Sequence, residues 1–377
     1  MTEHEEQTLA LLRLVLCKGV GSVAVHRLVE QFGSASAALA AGARGAAVEG
    51  VGEAAARSLR QGPDEREVEQ ELDLATHAHV RLVPFLSEGY PRPLLELGSE
   101  APPLLWIKGE YERRDQLAVA IVGSRRCSHY GRTQSRRFAM GLSSMGFTIV
   151  SGLAWGIDSE AHRGALQAGG RTIAVLGCGL GQVESLPEAE LAREIPERGA
   201  LISELPMGVR PKPGNFPPRN RLIAALSLGV LVVEAAARSG SLITARLAGE
   251  QGKSVFAVPG NVDTPTSRGC HALIRDGAVL VEYPREVAEG LGPLSEPLEL
   301  PAQEPGAPQP QRVDDARALA LNERERQVFE LLTQAPLHID AIISRTGLAP
   351  AAVSSTLLTL EIRGLARQLP GQQYARA

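Results

Sequence analysis

Seven apolar runs of strand length, at residues 118–123, 148–152, 172–177, 200–205, 230–234, 254–259 and 278–283, succeed one another with helix-like segments between most of them. Runs this short and continuously apolar suit strands buried on both faces, the condition of a parallel sheet covered by helices. The alternation predicts an α/β fold, an extended Rossmann-like doubly wound parallel sheet. In such a sheet ligands bind outside the carboxyl ends of the strands, so the turns after each run are where function is written.

Those turns are rich in glycine, serine and arginine. The first run ends in Gly123-Ser124-Arg125-Arg126, the second in Ser151-Gly152-Leu153-Ala154-Trp155-Gly156-Ile157-Asp158, and the third in Gly177-Cys178-Gly179. Glycine and serine let backbone N–H and hydroxyl donors approach an anion closely, and Arg125 forks two hydrogen bonds onto phosphate oxygens. Two later segments extend the same edge. Lys212-Pro213-Gly214-Asn215-Phe216-Pro217-Pro218-Arg219-Asn220-Arg221 interleaves cations with a lone aromatic, a pattern that holds successive phosphates while a base stacks. The segment from Glu234 to Thr244 carries Gly240 and Ser241 where a Gly/Ser loop opens a helix, a second anion cradle. Phosphate is the natural ligand of such an edge, although Phe216 reads equally as a core residue wedged among prolines.

The flanks differ in composition. Residues 1–75 read as short helices broken by Gly19-Val20-Gly21 and Gly50-Val51-Gly52, a small helical unit of sterile-alpha-motif-like or helix-hairpin-helix type. These turns either offer N–H groups to a phosphate or simply close tight helix–helix corners. Pro84, Pro91, Pro93, Pro102 and Pro103 then predict extended chain rather than helix, leading into a sheet domain over 76–290. Residues 291–318, dense in proline, read as a linker. Three helical patterns and a hairpin over 319–377 describe a winged-helix domain. Its third helix, at 351–363, holds no Lys or Arg before Arg363, which favours a protein-contact or regulatory role over tight duplex binding.

The formal net charge of −4 confines any nucleic-acid site to a local patch rather than a basic coat. Cys17, Cys127, Cys178 and Cys270 are scattered and form no metal-ligand or disulfide pattern, so no metal and no cofactor is expected. No apolar stretch is long enough for a membrane-spanning helix, and the acidic start lacks the basic region of a signal peptide, so a cytoplasmic protein without membrane insertion is expected.

The ordered set AIVGSR, SGLAWGID with His162 downstream, TIAVLGCGL, ISELPMG, FPPRNRLIAALS, VVEAAARSGSLITA, VFAVPG and GCHALIRDGA resembles the signature of the DNA-processing protein A family, also called Smf. It spans most of residues 117–280. The resemblance implies a non-enzymatic homodimer that binds and protects incoming single-stranded DNA. It further implies loading of a RecA-type recombinase, as single-strand-binding protein is displaced, during natural transformation. Carried over by position, the DNA-binding residues are Gly123, Ser124, Arg125, Ser151, Gly152, Lys212, Phe216, Arg219, Asn220, Arg221, Gly240, Ser241 and Thr244. The dimer contacts fall near His271, Leu273 and Ile274. The chain departs from the family at Ser185-Leu186-Pro187, where a Tyr-Pro pair is usual, and a polar wall of the pocket is expected to change there.

Three other functions compete. A nicotinamide enzyme is disfavoured because Gly123-Ser124-Arg125-Arg126 is not the dinucleotide fingerprint and the second run ends in Val150-Ser151, without the ribose-binding acid. A nucleotide-processing hydrolase of the lysine-decarboxylase-like type needs a catalytic Glu after its phosphate loop, and the segment from Ser239 to Ala245 has none. Asp158 and His162, one helical turn apart, suit a helix cap and a packed histidine better than a catalytic pair. A regulator reading duplex DNA through the C-terminal helices is the third.

Overall fold

The computed structural model describes residues 3–43, 51–85 and 87–292, and toward the C-terminus 323–332, 337–348, 350, 352–353, 356–357, 360, 366–369 and 373–376. The chain divides into two compact units between Leu298 and Glu299. Most of the 291–318 stretch, Gly50 and much of 351–363 lie outside the described residues.

The first unit opens with helices α1 (Glu3–Leu16), α2 (Ser22–Phe32), α3 (Ala35–Ala43), α4 (Glu53–Gln61) and α5 (Glu65–His77). One face of α1 packs Leu11 and Leu14 against Val25, Leu28, Ala38 and Leu59. Its neighbouring Leu12, with Val68 and Ala75 of α5, joins a different cluster containing Leu104, Trp106 and Leu201. The helices therefore share a core with the sheet. Glu71 of α5 adds a polar tie by accepting the Met207 N–H at 2.6 Å.

Among the described residues of this unit, nine strands form one sheet: β1 (Arg81–Pro84), β2 (Leu104–Gly109), β3 (Ala118–Val122), β4 (Thr148–Ser151), β5 (Thr172–Val175), β6 (Gly199–Ser203), β7 (Gly229–Val232), β8 (Ser254–Ala257) and β9 (Val279–Leu280). The order is β1-β2-β6-β5-β4-β3-β7-β8-β9. From β6 to β9 all neighbours are parallel, whereas β2 runs antiparallel to β6 and β1 antiparallel to β2. The covering helices are α6 (His129–Ser144), α7 (Ile157–Gln167), α8 (Ala189–Glu194), α9 (Phe216–Ala225), α10 (Ser241–Glu250), α11 (Arg268–Arg275) and α12 (Pro284–Gly290). Strand side chains alternate between the two sides. Val119 and Ile121 of β3 pack with α6 and α7, while Ala118, Ala120 and Val122 pack with α9 and α10. The doubly wound architecture is thus present.

The proline-punctuated segment corrects the expectation of extended chain alone. It holds strands β1 and β2, and the 3-10 turns of Arg92–Glu100 lie between them. Pro84 closes an edge strand and Pro93 sits in the first turn of its helix, positions where a missing N–H costs nothing.

In the second unit, helices Glu323–Leu331 and Ile339–Thr346 and residues of a third helical segment surround a three-stranded sheet of Leu337–His338, Ala366–Leu369 and Gln373–Arg376. Val328, Ile342, Val353, Leu357, Leu360 and Tyr374 form its core. Helices followed by an antiparallel hairpin give the winged-helix arrangement.

At the amino ends of β3, β4 and β5, Asp115 is fully buried. It accepts from Thr148 Oγ1 at 2.8 Å, the Glu112 N–H at 2.7 Å, and Arg171 Nε and Nη2 at 2.7 and 2.8 Å. Without Asp115, Arg171 keeps Glu112 Oε1 at 2.8 Å and the Glu110 carbonyl at 2.6 Å, while Thr148 Oγ1 and the Glu112 N–H lose their acceptor. Asp115→Ala is therefore expected to lower the unfolding free energy by about 2–3 kcal/mol, measured by urea denaturation at pH 7.

Candidate functional site

The strand order reverses between β3 and β7, whose carboxyl ends diverge into separate loops and leave a crevice. The last link between them is the Ser124 N–H donating to the Glu234 carbonyl at 2.7 Å. Gly123 makes this junction possible, because a Cβ there would lie 2.6 Å from Ile157 Cγ1 and 2.8 Å from the Glu234 carbonyl oxygen. The loop after β4 presses on the same junction. Its Gly156 has φ 99°, and a Cβ would stand 2.6 Å from the Ser124 carbonyl oxygen.

Beside this junction opens a cavity of about 490 Å³. Its walls include Gly123, Ser124, Arg125 and Arg126 from the β3 loop, Ala154 from the β4 loop, Asp158 from the first turn of α7, and Phe216, Arg219, Asn220 and Ile223 from α9. Arg238, Ser239 and Gly240 from the β7 loop, Ser241 and Thr244 from α10, and Thr266 complete it. Four arginines thus face a single carboxylate.

Helix α9 presents positions 216, 219, 220 and 223, an i, i+3, i+4, i+7 stripe, to the cavity. Arg219 is only 5% exposed. Its Nη1 donates to the Gly152 carbonyl at 2.9 Å and to the Val175 carbonyl, clamping the carboxyl ends of β4 and β5. Burial pulls its pKa down to about 10, against the raising effect of Asp158, so it stays charged at neutral pH. Asp158 accepts the Gly152 N–H at 3.2 Å; burial raises its carboxyl above the ordinary range, and Arg219 opposes that rise. Phe216 lies between the cations, with Arg125 Cζ 4.8 Å and Arg219 Cζ 6.0 Å from its ring centroid. Across the cavity Ser239 and Ser241 hydroxyls meet at 2.7 Å, and Thr266 Oγ1 is buried with no hydrogen-bond partner among the described residues.

Of the residues expected from sequence, Gly123, Ser124, Arg125, Phe216, Arg219, Asn220, Gly240, Ser241 and Thr244 line this one cavity. The other four do not. Ser151 is fully buried and donates to the Ile121 carbonyl at 2.6 Å. Gly152 is buried under Arg219. Lys212 is exposed on the approach to α9. Arg221 turns to the opposite side of α9, where Glu204 Oε2 accepts from it at 2.6 Å and the Glu100 carbonyl at 2.9 Å. The segment at Ser185-Leu186-Pro187 does not reach the cavity either, and the following Glu188 is buried and paired with Arg163 at 2.5 Å.

His271, Leu273 and Ile274 lie on α11, all half-buried; His271 Nε2 is 3.0 Å from the Gly260 carbonyl oxygen, and the other two pack on the core. Arg238, Asp158 and Thr266 join the site without having been singled out as ligands, the first two from motifs already quoted. Glu234 is absent from the cavity lining, and its carboxylate accepts the Ser128 hydroxyl at 2.6 Å.

His162 faces the core. Thr172 Oγ1 gives its hydrogen to the Ile149 carbonyl, so it accepts from His162 Nδ1 at 2.6 Å, leaving Nε2 bare, buried and unpartnered among the described residues. Burial first, and the nearby Arg163 and Arg219 second, push its pKa down to about 3.

Residues 81–292 match the family model of the DNA recombination-mediator protein A. Residues 303–372 match the DprA winged helix domain and residues 5–73 the DprA-like N-terminal HHH domain. Protein Smf of Escherichia coli (strain K12) is 42% identical over 308 residues, 81% of this chain and 80% of that protein. The DNA processing protein DprA of Streptococcus pneumoniae (strain ATCC BAA-255 / R6) is 45% identical over 203 residues, 54% of this chain and 71% of that one. Among solved structures, DNA processing protein A from Streptococcus pneumoniae superposes with a TM-score of 0.63 at 33% identity, covering 77% of this chain and 98% of its own. DNA processing protein A from Helicobacter pylori, described for its unique single-stranded DNA binding mode, superposes with a TM-score of 0.51 at 30% identity, covering 57% and 97%.

A neutral buried histidine ties stability to pH. The unfolded chain takes up a proton on His162 below about pH 6.5 that the folded chain refuses until about 3, so stability is full above 6.5 and is lost as pH falls. Between pH 7 and pH 5 this one group is expected to remove about 2 kcal/mol. Denaturant titrations of His162→Gln should show a pH 7-to-5 loss smaller than native by that amount; an equal loss would place the acid sensitivity elsewhere.

Proposed function

The chain belongs to the DNA recombination-mediator protein A family, and from that premise we propose that its switch-point cavity binds single-stranded DNA without catalytic turnover. The bound strand is protected and passed to a RecA-type recombinase, with single-strand-binding protein displaced, during uptake and recombination of DNA in the cytoplasm.

The observation that carries this reading is a cavity in which Arg125, Arg126, Arg219 and Arg238 outnumber the lone Asp158 and share the wall with Phe216. Arg125 and Arg238 are exposed enough to fork onto phosphate oxygens, and the hydroxyl-bearing Ser239, Ser241 and Thr244 line the same space. The unpartnered Thr266 hydroxyl supplies one more donor. Arg219 acts from beneath as a fixed positive charge. Binding without turnover is supported by the position of Glu234, whose carboxylate is taken up by Ser128 outside the cavity. The Helicobacter pylori relative described for single-stranded DNA binding lends the ligand.

For assembly, the outer edge of the sheet favours a homodimer. Strand β9 has a partner only in β8 among the described residues, and its Val279 and Leu280 are each 46% exposed. An uncovered apolar edge of this kind is a template for a second chain. His271, Leu273 and Ile274 on α11, the helix preceding β9 in the chain, are proposed to contribute to the same interface. The working units under this proposal are residues 1–75, 76–290 and 319–377, joined by 291–318.

Fluorescence anisotropy with a ~30-nucleotide oligomer, single-stranded and duplex, tests the reading at two salt concentrations. Single strands are expected to bind more tightly than duplex and to lose affinity steeply with salt. Arg125→Ala is expected to weaken binding about tenfold and to reduce the salt slope by about one, whereas Arg221→Ala, whose side chain is committed to Glu204, stays within about twofold. Equal affinity for duplex, or an unaffected Arg125→Ala, would move the DNA site away from this cavity.

A further inference from the structure

Trp155 is the most exposed aromatic side chain of the described residues, at 58%, and it stands on the loop after β4. Trp106, by contrast, is fully buried. The other two strongly exposed aromatics are engaged within the fold: Tyr130 donates to the Pro259 carbonyl at 2.9 Å, and Tyr283 lies under Arg137 at 5.0 Å. Trp155 makes no hydrogen bond or ring contact among the described residues.

Its loop is not slack. Leu153 and Gly156 take positive φ values of 53° and 99°. Asp158 receives the Gly152 N–H, Ser159 Oγ receives the Gly156 N–H at 3.2 Å, and the Ser159 N–H donates to the Ala154 carbonyl at 3.1 Å. The turn also leans on the arginine loop, since a Cβ at Gly156 would sit 2.6 Å from the Ser124 and 2.7 Å from the Arg125 carbonyl oxygen. A backbone pinned at each of these points holds a solvent-exposed indole on the residue that follows Ala154, part of the cavity wall. The guanidinium of Arg125, on the adjoining loop, covers Phe216.

We infer that Trp155 is a second stacking platform, taking the base next to the nucleotide lodged in the cavity. A cavity of about 490 Å³ is far smaller than a strand of ~20 nucleotides, so most bases of a bound strand must lie outside it. A π face fixed there accepts any base. Because the loop is already ordered, little conformational freedom is lost when the base arrives. This inference rests on the single-stranded DNA reading of the cavity.

The test uses the full chain with a dye-labelled thymidine oligomer of about 20 nucleotides and an abasic oligomer of equal phosphate count. Trp155→Ala is expected to weaken binding of the thymidine oligomer roughly 5- to 150-fold, the range for loss of one stacked base, with the salt slope unchanged. Trp155→Phe is expected to stay within about threefold of native, and all three proteins should bind the abasic oligomer alike. Intrinsic emission of the native protein is expected to be quenched by the thymidine oligomer. Loss of affinity that is equal on both oligomers, or Trp155→Ala within about twofold of native, would overturn the platform while leaving the cavity reading intact. A native protein that binds neither oligomer would overturn both.

Discussion

A single backbone hydrogen bond, from the Ser124 N–H to the Glu234 carbonyl, closes the seam between β3 and β7. On one side of that seam the chain winds toward β6 and on the other toward β9, so every loop that follows must part there. The site is the geometric result. The β3 loop brings Arg125, the β7 loop brings Arg238 and the start of α10, and α9 supplies the wall between them. A side chain at Gly123 is excluded by Ile157, whose Cγ1 would lie 2.6 Å from a Cβ there. The glycines are thus conditions of the junction before they are features of a ligand site.

Two kinds of arginine serve this cavity, and their energetics differ. Arg219 is desolvated, and such a cation survives only because two carbonyls accept from it and Asp158 stands near. It is part of the fold, and its charge is present whether or not a ligand is. Arg125, Arg126 and Arg238 are exposed, Arg125 with its guanidinium over the Phe216 ring. Their charges are free to neutralise a phosphate and release its counterions. A chain with an overall negative charge can thereby keep one strongly cationic spot, built from one buried charge and three exposed ones.

Much of this was legible in the sequence because it is local. Period, apolar run length and the Gly/Ser turns disclosed the sheet from β3 to β9, and nine of the thirteen expected ligand residues line one cavity. The misplacements have physical causes. Arg219, Asn220 and Arg221 are consecutive on a helix, 100° apart, so they cannot all face one way; the stripe 216, 219, 220, 223 was available in the sequence and excludes Arg221. Ser151 still lies inside β4 and points to a neighbouring strand. Strands β1 and β2 were hidden by prolines, although Leu104-Leu105-Trp106-Ile107 is itself a buried-strand run. Thr266 reaches the cavity from a distant 3-10 turn, through a long-range approach that no local pattern encodes.

The titratable groups around the cavity are tied into the scaffold that carries its loops. Acid–base chemistry needs a carboxylate or imidazole free to exchange a proton beside the ligand. Glu234 spends its carboxylate on Ser128, the start of α6; His162 is turned into the core with Nδ1 on Thr172; and Asp158, the one acid in the wall, accepts backbone N–H from its own loop. Each of these groups tightens the scaffold that carries a loop of the site. The rest of the lining is cationic, hydroxylic, amide, aromatic or apolar, with no second carboxylate and no imidazole among the lining residues.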